Sequence, residues 1–281
     1  PCQRAMRHCA PPFLTLNEDY QLMLITFIGY LLAVCIGLSL GLIGGGGSIL
    51  AAPVLIYIMS VPAKSAFAMT LVIVGVASLI GAIPHWRQGN VNLPIVAMFA
   101  PAAMVGAYVG ARLASFPFIN PTVQLITFGV MMLIASVLMI RKGSKKSDDP
   151  LTETDIPAKH AMLPKWLLIP LEGLFVGVLT GFIGIGGGFL VIPALVLLGK
   201  IPMKEAIGTS LIILTLKSVT GFAGYFGHVP IDWTLLTIFT IAASIGILLG
   251  SYLNQFISAK HLEKGFGYFV LAVAVFVLIQ R

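Results

Sequence analysis

Charge is what this chain has least of. Of its 281 residues only 10% are Asp, Glu, Lys or Arg, against 58% hydrophobic. Soluble domains carry about 25% charged residues, so this chain cannot clothe a water-facing surface, and a soluble enzyme or binding module is excluded. Its three cysteines form no disulfide framework. Cys35 sits inside an apolar run, where packing is expected to bury it, and Cys2 and Cys9 lie in a short polar head. Catalytic signatures are absent as well: no HExxH, no GxSxG, no pair of intramembrane aspartates, and no GxxxxGK[ST] for a nucleotide. The five histidines fall near segment ends, which argues against a buried metal centre. No enzyme activity, cofactor or metal is expected.

The net charge of +7 is not a nucleic-acid signature. The basic residues stand at segment ends and in one central polar stretch, where they set membrane orientation. Long apolar runs, rather than short alternating segments, point to spanning helices and not to a barrel. The first of them is expected to direct insertion itself.

What the chain does have is an internal echo. At a shift of 140 residues, Gly44-Gly45-Gly46-Gly47-Ser48-Ile49-Leu50-Ala51-Ala52-Pro53 falls on Gly184-Ile185-Gly186-Gly187-Gly188-Phe189-Leu190-Val191-Ile192-Pro193. Pro62 meets Pro202, Lys64 meets Lys204, Ser78 meets Ser218, Gly81 meets Gly221, Gly106 meets Gly246 and Gly110 meets Gly250. The expected organisation is a polar head over 1–21, a first repeat over 22–141, a polar linker over 142–164 and a second repeat over 165–281. Apolar runs lie at 22–43, 48–59, 63–84, 93–115 and 120–141, and again at 165–183, 188–199, 204–226, 233–256 and 262–280. Eight are long enough to span a bilayer core, which takes about 20 residues. The runs at 48–59 and 188–199 are too short, and each follows a glycine cluster and carries a proline. That is the pattern of a broken or re-entrant helix in a secondary carrier. The predicted fold is therefore an all-α, multi-span membrane protein of two homologous repeats, each with four long spans and one short broken helix.

Whether the short segments cross or re-enter decides the topology. If they cross, the second repeat is inverted. One face then collects Arg87, Arg141, Lys142, Lys145, Lys146, Lys159, Lys165, Lys200, Lys204, Lys260 and Lys264, and the other keeps Arg4, Arg7, Lys64, Arg112 and Arg281. The positive-inside rule favours that arrangement, with the linker inside and both termini outside.

Glycines in a row weaken a helix by about 1 kcal/mol each relative to alanine. In return they expose backbone N–H groups where the next helix starts, and such a start suits an anion. Gly45, Gly46, Gly47 and Ser48, with Gly186, Gly187 and Gly188, are the candidate anion-binding residues; close helix crossing is the competing reading. Thr70, Thr209 and Ser210 add neutral donors near the breaks, as Ser78 and Ser218 do, although each hydroxyl can equally bond its own helix. Lys217, mid-run where the first repeat has Ala77, must face the bundle interior with a partner. Glu172 is the acidic residue well inside a span. The two form a structural ion pair, or Lys217 serves a bound anion, or Glu172 is a coupling carboxylate. Lys64 and Lys204 read as interfacial anchors. His85 with Arg87, and His228 with Asp232, read as interfacial turn residues, with a gate or pH sensor as the alternative.

These glycine clusters, together with Pro53 and Pro193, Pro202, Ala206, Gly208-Thr209-Ser210-Leu211, Tyr225, the Gly227-to-Trp233 turn and the Gly246…Gly250 pair, make the chain resemble the sulfite exporter TauE/SafE family of membrane permeases. The resemblance covers nearly everything after the head. It implies a carrier that exports a small sulfur-containing anion, such as sulfite or an organosulfonate, across the bacterial inner membrane. The expected partners are that anion and the lipid bilayer. An anion channel, or a carrier of an unrelated small molecule, is the alternative.

Overall fold

In a computed structural model the described residues are 12–114, 121–144, 165–183, 188–198, 201–227 and 229–279, and they are helical with no strand among them. The first half holds α1 (Pro12–Ile43), a tight turn over Gly44–Gly47, α2 (Ser48–Pro53) with a wide turn over Val54–Ile58, then α3 (Ala63–Arg87), α4 (Leu93–Ala114) and α5 (Pro121–Ser144). The second half holds α6 (Lys165–Ile183), α7 (Gly188–Pro193) with its wide turn over Ala194–Leu198, then α8 (Met203–Tyr225), α9 (Trp233–Asn254) and α10 (Ala259–Ile279). Five segments among the described residues are long and apolar enough to cross a membrane: Thr26–Ile58, Ala63–Arg87, Leu93–Ala114, Met203–Tyr225 and Trp233–Asn254. Shorter apolar stretches lie at Ile126–Arg141 and Ile169–Ile183. The remaining runs expected to span fall partly outside the residues whose side chains are described, although α5, α6 and α10 are helical over 24, 19 and 21 residues.

Local chemistry explains the boundaries. Gly44 adopts φ +71°, a left-handed conformation that ends α1 and that a residue with a Cβ adopts only at a cost of about 1–2 kcal/mol. The chain then turns back on itself. A Cβ on Gly47 would meet Ser39, Leu40 and Ile36 of α1, and by Met59 the segment lies against Gly29. The short piece thus retraces α1 in the opposite direction. Pro53 and Pro193 lack the N–H that the α ladder needs, and each helix widens to π geometry right after its proline. Pro62 and Pro202 stand in extended backbone just before α3 and α8. Asp232 caps α9 by accepting from the N–H groups of Thr234 and Leu235, both at 3.0 Å. Asn92 does the same for α4 through Ile95 N–H at 3.2 Å.

Packing runs across the halves. Gly37 touches Ala243 on α9 through backbone, and Gly177 touches Ala103 on α4 in the same way. Gly246 lies on Val34 and Leu38 while Gly106 lies on Leu174 and Val178; Gly250 lies on Leu38 while Gly110 lies on Val178. Each pair of contacts is one contact made twice, with the halves exchanged. Residue numbers rise together along α1 and α9 and along α4 and α6, so these pairs run parallel. α3 and α8 run antiparallel: Gly81 faces Leu211, Gly75 faces Ser218, and Gly221 faces Leu71. Small residues let these backbones approach closely where lipid offers no hydrophobic drive for helix association.

The core between the helices is filled by Ile36, Leu40, Leu55, Phe67, Phe99, Phe239 and Phe266, all fully buried. The outer surface is as apolar as the core, with Leu31, Leu79, Val105, Ile241 and Tyr252 exposed. Cys35 also faces outward rather than into the packing expected for it, because its position on α1 points away from the α9 contact made by Gly37 and Gly41.

Candidate functional site

The first glycine cluster meets Gly188, the described residue of the second. A Cβ on Gly45 would overlap the backbone of Gly188, and a Cβ on Gly188 would overlap Gly45 and the side chain of Leu214. Gly44 lies beside Ser210 Oγ and Ile207, Gly46 under the ring of Phe266, and Gly47 against α1. Gly44, Gly45, Gly46 and Gly47 are all buried, as is Gly188. Gly186 and Gly187 lie outside the described residues. The candidate hydroxyls divide by partner. Ser48 Oγ donates to Gly45 O at 2.7 Å and Ser210 Oγ to Ile207 O at 2.8 Å, each bonding its own chain. Thr209 Oγ1 accepts from Asn92 N at 3.0 Å, which ties the α3–α4 loop to α8. Asn92 Nδ2 also donates to Glu205 Oε1 at 2.6 Å. Thr70, Ser78 and Ser218 are buried, and their hydroxyls find no partner within the protein.

Lys217 is 2% exposed, and its Nζ donates to Thr180 Oγ1 at 3.2 Å. Thr180 in turn donates to Gly177 O at 3.1 Å. Among the described residues no carboxylate pairs with Lys217, whose amine donates to a neutral hydroxyl. Glu172, half-buried, sits two turns before Thr180 on α6, so the expected Lys217–Glu172 ion pair does not form. The two side chains leave different levels of neighbouring helices. Lys217 lines a cavity of about 10 Å³ with Thr180, Gly181, Gly221, Leu71, Ala107, Ala111 and Tyr225, room for about one water. The hydroxyl of buried Tyr225 has no partner in the protein. Thr180 and Gly181 end the turn that leads into the second glycine cluster, and Leu214, one turn from Lys217, touches Gly188. The cavity therefore adjoins the second break.

His85, expected near the interface from its place after Pro84, is fully buried between helices. The chain folds back at Gly44, so α3 runs beside α1, and His85 Nε2 reaches Gly41 O at 3.3 Å. Lys64, Arg87 and Asp232 are exposed, and His228 lies outside the described residues. Sequence reasoning missed the roles of Thr180, Ser251 and Asn254. Nothing local marks them: Thr180 and Asn254 acquire their partners from distant helices, and Ser251 is buried against Gly41 of α1. Among the described residues no group of His, Cys, Asp or Glu is arranged to hold a metal ion.

Helices with apolar outer faces, two short helices meeting at glycine breaks and a buried ammonium between helices define an all-helical, multi-span membrane protein with a polar site inside the bundle. The family model described as "Sulfite exporter TauE/SafE" matches residues 29–277, and the chain belongs to that family. It is 32% identical over 246 residues to a "Probable membrane transporter protein" of Xylella fastidiosa (strain 9a5c), covering 86% of this chain and 91% of the relative. It is 27% identical over 232 residues to "Probable membrane transporter protein YdhB" of Bacillus subtilis (strain 168), covering 83% of this chain and 88% of the relative. No solved structure matches the chain.

Proposed function

We propose that this protein is a secondary transporter that exports a small sulfur-containing anion, such as sulfite or an organosulfonate, across the bacterial inner membrane. The observation that carries the reading is Lys217, a buried lysine that among the described residues pairs with no carboxylate. An unpaired buried charge is costly, and intramembrane lysines mark substrate paths. A small anion supplies the missing counter-charge. The family description supports the sulfur chemistry.

The anion sits beside the second break, in the cavity lined by Lys217 and Thr180, which widens when the helices rearrange. Gly45, Gly46, Gly47, Ser48, Gly186, Gly187 and Gly188 form the broken segments around it, with Thr70, Thr209 and Ser210 one helix away. Glu172 is a candidate for coupling. The repeats, 22–141 and 165–281, are inverted with respect to each other and rock for alternating access. Support for the inversion comes from α3 and α8, equivalent helices that run antiparallel, and from the exchanged glycine contacts.

Thermal unfolding of the purified protein against sulfite, thiosulfate, sulfate, sulfoacetate and taurine tests this, because a ligand of the folded state raises stability by mass action. A shift with one sulfur anion that disappears in Lys217→Met supports the reading. An equal shift in the variant removes Lys217 from the site, and a flat panel removes the sulfur specificity.

A further inference from the structure

Seven buried side-chain polar atoms among the described residues find no partner in the protein, and three of them, His85 Nδ1, Ser251 Oγ and Asn254 Oδ1, belong to residues that crowd the end of α1. Buried polar groups are normally satisfied, so such a cluster calls for an explanation. All three residues are 0% exposed.

Their bonding fixes what each free atom can do. His85 Nε2 lies 3.3 Å from Gly41 O. A carbonyl only accepts, so Nε2 carries a hydrogen, and Nδ1 of the neutral ring is a free lone pair. Asn254 Nδ2 donates to Leu42 O, which orients the amide and leaves Oδ1 as a free acceptor. Ser251 stands three residues before Asn254, on the same face of α9, with its backbone against Gly41. The two free acceptors and the hydroxyl thus belong to residues that bond or pack against consecutive residues, Gly41 and Leu42, at the carboxyl end of a helix broken at Gly44. That end carries partial negative charge, and such ends hold coupling cations in carriers. A group completing this site must donate hydrogen bonds or be positive.

The other half makes the contrast. The residues 140 positions away from His85, Ser251 and Asn254 are Tyr225, Ala111 and Ala114. Tyr225 and Ala111 line the Lys217 cavity. One member of this matched pair of sites offers donors and positive charge; the other offers acceptors. The charged residues on the helices packed around the acceptor site are Arg87, exposed on α3, and Lys204 and Glu205 at the start of α8, with Lys64 at the far end of α3 and Lys217 three turns further along α8. Lys204 Nζ is taken up by Gln255 O at 3.4 Å and Glu205 by Asn92. α9 carries no charged residue, and those of α1, Glu18 and Asp19, lie near its opposite end. With no carboxylate in the cluster, the site suits a monovalent ion rather than a divalent one.

We propose that His85, Ser251 and Asn254, with the carbonyls of Gly41 and Leu42, bind a monovalent cation, either Na⁺ held by the oxygens or a proton taken by His85 Nδ1. Its use in driving the anion rests on the transport reading above; the binding itself does not.

The test uses the purified full chain with no sulfur anion added, so it stands apart from the anion panel. Unfolding midpoints are measured with NaCl against choline chloride at constant ionic strength, and separately across about pH 5 to 8, where histidine changes charge. A sodium-dependent rise in the wild type that is lost in Ser251→Ala identifies Na⁺ as the ion. A pH-dependent shift that is lost in His85→Gln, without a sodium response, identifies the proton. If the wild type and both variants respond alike to sodium and to pH, the proposal is overturned. Should a variant fail to fold, sodium NMR line broadening and nitrogen NMR of labelled histidine read the same two events on the wild type. Detection of neither event also overturns the proposal.

Discussion

Thr215 donates its hydroxyl to the carbonyl oxygen of Gly75, 3.4 Å away across the bundle and 140 residues earlier in the chain. The two residues occupy matching positions in the two halves, so the bond lies where α3 crosses its own counterpart. Moving four residues along one helix and six along the other, in either direction, gives matching contacts, Leu71 with Gly221 and Leu211 with Gly81. The close approach of the two backbones rests on the missing side chain at Gly75, whose Cβ would meet Ser218.

Gly37→Ala places its methyl on the carbonyl of Ala243, and Gly177→Ala places one on the carbonyl of Ala103. Backbone cannot yield as a side-chain tip does, and overpacking of this kind costs about 1–3 kcal/mol. Both variants are expected to unfold at lower temperature than wild type, and to a similar extent. Gly265→Ala, where nothing lies within 4 Å of the new methyl, gains up to about 1 kcal/mol from helix propensity. Thermal unfolding in detergent checks the set, and equal midpoints for Gly37→Ala and Gly265→Ala would refute the packing argument.

Within the first glycine cluster the neighbours differ. Gly45 rests on the backbone of Gly188, whereas Gly46 faces the ring of Phe266. Gly45→Ala is therefore expected to lower both stability and transport more than Gly46→Ala does, since the ring can turn aside. The comparison needs unfolding midpoints and flux into proteoliposomes, and the reverse order would show that the breaks do not meet as described.

Lys217→Met removes a buried amine and leaves an unbranched apolar side chain one atom shorter. Thr180 retains its bond to Gly177 O. A buried charge without a counter-charge carries a desolvation cost that an apolar group does not. The variant is expected to keep or raise its unfolding midpoint while losing its response to anions. A large loss of stability would instead show a structural role for the ammonium.

Antiparallel α3 and α8 end at opposite faces of the bundle. Gly89 and Gly227, both exposed and both at positive φ, follow the two helices directly. Cysteines introduced at these positions, on a background without the native cysteines, are expected to react with an impermeant maleimide from opposite sides of the membrane. Labelling of both from one side would exclude the inverted arrangement.

Much of the secondary structure could be read from the chain because its causes are local. The helix starts after Pro62 and Pro202, the breaks at the glycine clusters and the widened turns after Pro53 and Pro193 follow from backbone chemistry at those residues. The surroundings of the functional residues could not be read this way. His85 follows a proline near a helix end and has the sequence context of an interfacial residue, yet the fold-back at Gly44 places α1 over it. Lys217 was legible as an intramembrane charge needing a partner. That the partner is Thr180, and that Glu172 stands too far along α6 to pair, depended on how α6 and α8 lie against each other. Cys35 shows the same limit in reverse, an apolar-run residue that faces outward because Gly37 and Gly41 take the contact with α9.

The sequence by itself determined that this is a helical membrane protein, where its helices begin and break, and that its second half echoes its first. Those properties follow from composition and from the conformational limits of glycine and proline, which act within a few residues. The tertiary structure decided which buried polar groups share a site. Apolar side chains in lipid express little preference among helical neighbours, so pairing is set by the fit of small residues such as Gly37, Gly106, Gly177 and Gly246 against a facing backbone. That fit brings Asn254 to Leu42, 212 residues away, and Lys217 to Thr180, 37 residues away. Separations of that size leave no periodicity in the chain from which either meeting could be inferred.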